Sequence, residues 1–363
     1  MLVQIAWSGG QGRPRLMVNE SPPTTAPPRS EVSPAPADVC PACGAARHAV
    51  LFSATDRNFS TTARVFEIVE CGECRLIRLH PQPDPSELAG FYPAGYWDAP
   101  EVSVTDRLEQ WYRRFVLSDH ARFVERALME CDEPGMVLDV GCGAGLFLQT
   151  LRRRGTLTRQ DAAGRPVLRR IAGVDFSLDA AVAAARNRVP AVCASLSKAP
   201  FAAGSCAVVT MFNVLEHLYD PASHLDAARG LLAPHGRLIV QVPNAASWQF
   251  LLMGERWSGL DVPRHLFHFR LSHLEALLGD CGFEILRYKH FSLRDNPAGL
   301  AASLAPALDP TVRRLRHVVE SPRLRLFKDG LYLGLVAACL PPALFEAACR
   351  AGSTVILEAR KKT

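Results

Sequence analysis

Val137-Leu138-Asp139-Val140-Gly141-Cys142-Gly143-Ala144-Gly145-Leu146-Phe147-Leu148 is the stretch from which the fold can be read. A short apolar β-type run ends in glycines at every second position, and a helical pattern follows at once. This predicts a strand, a tight turn and a helix N-terminus, with the helix running to about Arg153. Glycine is needed there because the turn is sharp and because a ligand must approach the backbone without meeting a Cβ. The exposed N–H groups and the positive end of the helix suit an anionic group such as a carboxylate. A dinucleotide fingerprint would place its third glycine at 146, where Leu146 stands, so a nicotinamide reading fits poorly. Taken alone, the stretch is also compatible with an ordinary glycine-rich βα turn.

Reading outward, a polar stretch from Thr156 to Arg170 looks like an inserted loop, and Ile171-Ala172-Gly173-Val174 is the second strand. Asp175 follows it. An acidic residue there can accept both hydroxyls of a ribose. Its distance from the glycines exceeds the usual span of about twenty residues, and the insertion accounts for that. The competing role for Asp175 is a helix N-cap, which Ser177 or Asp179 can fill instead. A short third strand, Ala191 to Ala194, leads to Ser195. The fourth strand, around Val208 and Val209, leads to Asn213-Val214-Leu215-Glu216-His217 at the ligand end of the sheet. Glu216 and His217 there either serve a site or simply begin the next helix. Arg237 to Val242, Phe283 to Tyr288 and Thr354 to Ala359 complete seven strands.

The run Leu138-Asp139-Val140-Gly141-Cys142-Gly143-Ala144-Gly145 resembles the first motif of class I S-adenosylmethionine-dependent methyltransferases. The resemblance implies an α/β fold, a seven-stranded doubly wound Rossmann-like sheet over about 105–363. It also implies S-adenosylmethionine held by Asp139, Gly141, Gly143, Gly145, Asp175, Ser195 and Asn213. The family usually has Asp where Ser195 stands, and another Asp where Ala207 stands in a Pro200-Phe201-type segment. Serine can still hydrogen-bond an adenine amino group, more weakly. Downstream, Asp261-Val262-Pro263-Arg264-His265-Leu266-Phe267-His268-Phe269 closely resembles an Asp-x-Pro-Arg-His-Leu-x-His-Phe signature of one bacterial branch that also carries an N-terminal cysteine ribbon. That resemblance spans about Cys40 to Arg287.

It implies methyl transfer to a small-molecule acceptor, a hydroxyl of a sugar, polysaccharide precursor or quinone-like or lipid-linked metabolite. His265 is the candidate base, His217 the reserve base, and Arg264 the holder of an anionic or carbonyl part of the acceptor. The alternative is that His265 and His268 only tie the loop to the sheet. An rRNA or tRNA methyltransferase and a non-catalytic S-adenosylmethionine-binding protein are the rival functions. Nucleic acid is disfavoured because no Arg/Lys run interleaved with aromatics occurs in the ribbon.

Ahead of this domain, Cys40-Pro41-Ala42-Cys43 is answered by Cys71-Gly72-Glu73-Cys74. Two such knuckles supply the four thiolates of a closed, structural zinc site, with Val65 to Val69 as a strand of a zinc ribbon over 38–80. A redox dithiol and merely packed cysteines are the rivals. Residues 1–37 are rich in Pro, Ser and Ala and are expected to be disordered, with Met17 as an alternative start. Residues 81–104 form a proline-stiffened linker. The net charge is +5 and hydrophobic residues make up 48%, which suits a globular protein and does not argue for nucleic acid. Eleven cysteines without a recognisable export signal point to thiols and metal ligands in the cytoplasm.

An insertion at about 294–350 is basic first (Arg313, Arg314, Arg316, Arg323, Arg325, Lys328) and then apolar from Leu331 to Phe345. Its uncharged part, broken by Pro341-Pro342, is too short to span a bilayer. One reading is an apolar hairpin lying on an anionic membrane through 313–346, at the inner face. The other is a helical cover over the acceptor pocket or a homodimer contact.

Overall fold

The structure is a computed structural model and describes residues 2–6, 15–19, 39–97, 104–131, 133–155, 157–160 and 166–362. In chain order, β1 (Leu2–Ala6) and β2 (Arg15–Asn19) precede β3 (His48–Ala54), β4 (Phe66–Cys71), β5 (Ile77–His80) and the one-turn α1 (Pro85–Leu88). The long α2 (Val104–Cys131) leads into β6 (Met136–Val140) and α3 (Leu146–Arg153). A small hairpin, β7 (Thr158–Gln160) and β8 (Pro166–Leu168), fills the inserted loop, ahead of β9 (Ile171–Asp175), α4 (Leu178–Arg186) and β10 (Ala191–Cys193). Then come β11 (Cys206–Phe212), α5 (Pro221–Leu231), β12 (Leu232–Pro243), α6 (Trp248–Met253), β13 (Phe267–His268) and α7 (Leu271–Asp280). The chain closes with β14 (Phe283–Lys289), α8 (Asn296–Leu304), α9 (Pro310–Leu315), α10 (Pro322–Ala348) and β15 (Thr354–Lys361).

The large sheet runs β14-β15-β12-β11-β6-β9-β10-β1-β2. From β10 to β12 neighbouring strands are parallel, and β15 is inserted antiparallel between β12 and β14. The seven expected strands are all present, within a sheet of nine. The central strands are mostly apolar because helices cover both faces, with Asp139, Thr210 and Gln241 among the buried polar exceptions. Leu138, Val140, Leu238 and Val240 face α5 and α7, whereas Val137, Val208, Ile239 and Ile356 face α2, α3 and α4. After β6 the chain first extends the sheet one way, through β9 and β10, and then the other way, through β11 and β12. The crevice at that switch point, at the C-terminal ends of β6 and β11, is where open α/β sheets bind ligands.

Three features depart from the sequence reading. First, Leu2–Ala6 and Arg15–Asn19 form a hairpin at the sheet edge, with β1 antiparallel to β10, where disorder was expected. Both segments are β-prone, and the Pro/Ser-rich composition begins only after them; residues 20–38 lie outside the described residues. Second, the cysteine module is not separate from the domain that follows. Its strands order as β13-β5-β4-β3, so Phe267 and His268 of the Asp261–Phe269 run pair antiparallel with Arg78 and Ile77. Phe66, Ile68, Ile77 and Leu79 share a core with Phe250, Trp257, Leu266 and Phe267.

Third, the insertion holds no hairpin. α10 is a continuous helix of 27 residues with Pro341 and Pro342 inside it. A proline costs an internal helix one N–H bond, but contacts of Val336 and Cys339 with Ala301 of α8 hold the helix through that point. By length and composition alone, α10 is long and apolar enough to cross a bilayer, with a mean hydropathy of 1.6 over its best window.

Candidate functional site

The turn after β6 is built on left-handed glycines: φ is +69° at Gly141, +49° at Gly143 and +72° at Gly145. A Cβ on Gly141 would stand 2.6 Å from Val214 Cγ2, so side chains are excluded there by space as well as by dihedral. Asp175, at the end of β9, is nearly fully buried and reaches back to this turn. Its Oδ2 accepts the Gly143 N–H at 2.9 Å, and its Oδ1 accepts the Ser177 N–H at 2.9 Å. Ser177 caps α4 through Ala180, so the helix cap is supplied without Asp175. Burial raises the Asp175 carboxyl, and the N–H groups of Ser177 and Gly143 oppose that rise. Each oxygen keeps a lone pair for a further donor, so turn and carboxylate fit an adenosyl group.

The other expected cofactor residues differ in character. Asp139 is buried inside the sheet, where the Thr210 hydroxyl donates to it at 2.6 Å, and burial pushes its carboxyl up to about 7. Asn213 holds a left-handed φ of +54° at the end of β11, and its Oδ1 accepts from Gln241 Nε2 at 2.8 Å. Ser195 is exposed just past β10, with its Oγ 3.5 Å from Ser197 Oγ. A layer of aromatic rings bridges the turn and the acceptor side. Trp97 lies against Gly143, stacks on Tyr92 at 5.9 Å and meets Phe176 at 6.2 Å, and Tyr92 reaches His217.

Beyond that layer, the structure brings Glu216, His217 and His265 together from two distant segments. The two imidazoles stand edge to face with centroids 4.6 Å apart. His217 Nδ1 lies 3.0 Å from the Arg264 carbonyl oxygen, and His265 Nδ1 lies 2.9 Å from the Gly259 carbonyl oxygen. A carbonyl only accepts, so His265 Nδ1 carries the proton and its Nε2 presents a lone pair, whereas His217 Nδ1 also lies 3.2 Å from the Tyr92 hydroxyl, which can donate to it. His265 Nε2 is 3.9 Å from Glu216 Oε1 and 3.9 Å from Asp261 Oδ2. Burial pushes His217 down to about 3 and His265 and His268 down to about 4, so all three rings are neutral near pH 7. Glu216 is pushed up by burial to about 8.

Arg264 does not have the expected role. It is completely buried, and its guanidinium donates to Asp56, Asp261 and the carbonyls of Phe91 and Val262. Both faces of its fork are used inside the protein, and its charge lies over the Phe59 ring at 4.5 Å. It therefore rivets the cysteine module to the Asp261–Phe269 loop and has no donor left for an acceptor anion. Asp56 lies 208 positions away in sequence, so spacing gave no sign of the pairing.

The four cysteines of the N-terminal module converge as expected. Cys40 Sγ is 3.6 Å from Cys74 Sγ, Cys43 Sγ is 3.5 Å from Cys71 Sγ, and all eleven cysteines of the chain are free. A tetrahedron of thiolates with metal bonds of about 2.3 Å has edges of about 3.8 Å, so the cluster can chelate a metal. Burial raises the Cys71 thiol, but the N–H groups of Glu73 and Cys74 outweigh it and bring it down to about 7.

Sequence reasoning also missed a buried relay behind Asn213. His120 of α2 meets Gln241 at 2.7 Å, and Gln241 donates to both Asn213 and Asp295. The members come from four elements, and each looks like an ordinary helix, strand or loop residue in sequence.

The sequence model of a family described as a methyltransferase domain matches residues 112–288. The chain is 30% identical over 181 residues to a probable S-adenosylmethionine-dependent methyltransferase of Mycolicibacterium smegmatis, covering 48% of this chain and 60% of that one. It is 38% identical over 120 residues to a ubiquinone biosynthesis O-methyltransferase of Xylella fastidiosa, covering 32% and 45% respectively. It thus spans roughly half the length of these curated relatives. Among solved structures, a Burkholderia thailandensis 1,6-didemethyltoxoflavin-N1-methyltransferase is similar at 16% identity and a TM-score of 0.42, over 83% of this chain and 97% of that one. Taken with the strand order and the glycine turn, the sequence matches support a class I S-adenosylmethionine-dependent methyltransferase fold, carrying near its N-terminus a cysteine cluster able to chelate a metal.

Proposed function

We propose that the chain transfers a methyl group from S-adenosylmethionine to a hydroxyl of a small-molecule acceptor, of saccharide or quinone-like class. The observation that carries this is one juxtaposition at the switch point. The left-handed glycine turn bound to Asp175 stands on one side of the aromatic layer, and the neutral His217–His265 pair stands on the other. S-adenosylmethionine supplies a sulfonium-activated methyl group for in-line displacement, which leaves the protein to align the reactants. Gly141 to Gly145 and Asp175 hold the donor side. Tyr92, Tyr96 and Trp97 exclude water above it. His265 Nε2 accepts the hydroxyl proton, since its Nδ1–H is fixed on the Gly259 carbonyl, and His217 is the reserve base. The name of the Xylella relative supports an oxygen acceptor of the quinone type. The four thiolates of the ribbon are read as the ligands of one structural zinc.

The test is radiolabelled methyl transfer into fractionated cell extract, with wild type beside His265→Asn. The variant is expected to lose on the order of a hundredfold in turnover at unchanged cofactor affinity. Wild type that labels no fraction, or a variant that keeps its turnover, would contradict the proposal.

A further inference from the structure

Glu216 is one of several side chains among the described residues whose buried polar atoms lack a partner, a set that also includes His268 and His290 at both ring nitrogens. The Glu216 side chain is 1% exposed, and neither carboxylate oxygen has a hydrogen-bond partner. A carboxylate taken out of water without donors is costly, so the site as built lacks a positive partner. Arg264, the cation next to His265 in the chain, is spent on Asp56 and Asp261. What faces Glu216 instead is two imidazoles.

We propose that Glu216, His217 and His265 bind one divalent transition-metal cation of the zinc, manganese, iron or cobalt type, independently of the four cysteines. Three observations carry this. The ligand atoms of the three residues all lie within 4.8 Å of one another, and His265 Nε2 is already 3.9 Å from Glu216 Oε1. Around a cation with bonds of about 2.1 Å, neighbouring ligand atoms stand about 3.0–3.4 Å apart, so side-chain movements of about an ångström or less close the site. Both histidines also hold Nδ1 at a backbone carbonyl, as the outer nitrogen of a metal-bound imidazole often is, and His265 Nε2 faces Glu216. The donor set of two nitrogens and a carboxylate oxygen favours a borderline transition metal over magnesium or calcium, whose sites are built from oxygen.

Three protein ligands leave at least one coordination position for water or an acceptor oxygen, unlike the closed ring of four thiolates. Asp261 Oδ2 also lies 3.9 Å from His265 Nε2. A bound cation makes His265 a ligand; it would lower the pKa of a coordinated acceptor hydroxyl, whose proton then passes to water instead of to the imidazole. Loss of turnover in His265→Asn follows from either role. Metal binding, which needs no cofactor and no acceptor, tells them apart.

The full chain is stripped with chelator and dialysed to equilibrium against zinc, and separately against cobalt(II), followed by elemental analysis. Wild type is expected to hold two equivalents of zinc. Glu216→Gln and His217→Gln keep the shape of the site and should each hold one, with unfolding midpoints close to wild type. Cobalt in the second site should show ligand-field bands without the thiolate charge-transfer absorption given by the cysteine site. Wild type that holds a single equivalent, removed by Cys71→Ser, would overturn the proposal. A second equivalent that persists in both Glu216→Gln and His217→Gln would overturn it too.

Discussion

The two groups of metal-capable side chains contrast in almost every respect. Cys40, Cys43, Cys71 and Cys74 come in two C-x-x-C knuckles at the ends of a small sheet. Their sulfurs already lie near the edge length of a thiolate tetrahedron, and four donors leave no vacancy. Glu216, His217 and His265 come from two segments far apart in the chain, and their three ligand atoms lie within 4.8 Å of one another, which leaves a position open on the proposed cation. The closed group can only hold chain together, whereas the open group can present something to a ligand. The open group is also the one placed at the ligand end of the sheet, across the aromatic layer from the glycine turn.

The largest effect expected from breaking this contrast is on the closed side. Cys71→Ser should release the metal of the cysteine module and unfold β3 to β5, because structural zinc contributes about 10 kcal/mol or more to such modules. Limited proteolysis should then cut within residues 40–80, while the large sheet stays protected; an intact module without metal would show that the cysteines merely pack.

Arg264 lies between the two groups and should give the next largest effect. Arg264→Ala leaves Asp56 and Asp261 buried without their counter-charge, and the loss should be about 3–5 kcal/mol in denaturant unfolding at pH 7. Burial opposes ionisation of both carboxyls, and Arg264 outweighs it, so both lie below the ordinary carboxylate value. In wild type this contribution is complete above the unfolded value of about 3.9 and is lost as the pH falls through the lowered folded values. In the variant both carboxyls should rise instead, so its deficit should shrink when the measurement is repeated near pH 4. An equal deficit at both pH values would show that Arg264 acts through its bulk.

How much of this was legible in the sequence follows from the range of the interactions. The seven strands, the glycine turn, Asp175 and the cysteine knuckles rest on local patterns, and the structure places them as read. Arg264 was misassigned because its role depends on Asp56 and on the Phe91 carbonyl, which only the folded chain brings near. The shared sheet of β5 and β13 was invisible for the same reason, since a two-residue strand has no periodicity. Pro341 and Pro342 read as a break because propensity is local, whereas α8 holds the helix from outside. Glu216 was noticed for its position, but its missing donors belong to the packed interior.

The open group has a use in methyl transfer only if the other side of the aromatic layer holds the methyl donor, so the central claim is that Asp175 and the glycine turn bind S-adenosylmethionine. Titration calorimetry of the full chain with S-adenosylmethionine tests this most directly, comparing wild type with a folded Asp175→Ala variant. Losing two hydroxyl contacts to a charged acceptor should weaken binding by about 1.5–3 kcal/mol, roughly tenfold or more. Saturable one-site binding in wild type that falls by that factor in Asp175→Ala is the predicted result. No binding by wild type, or equal affinity in the two proteins, would contradict the assignment of this crevice.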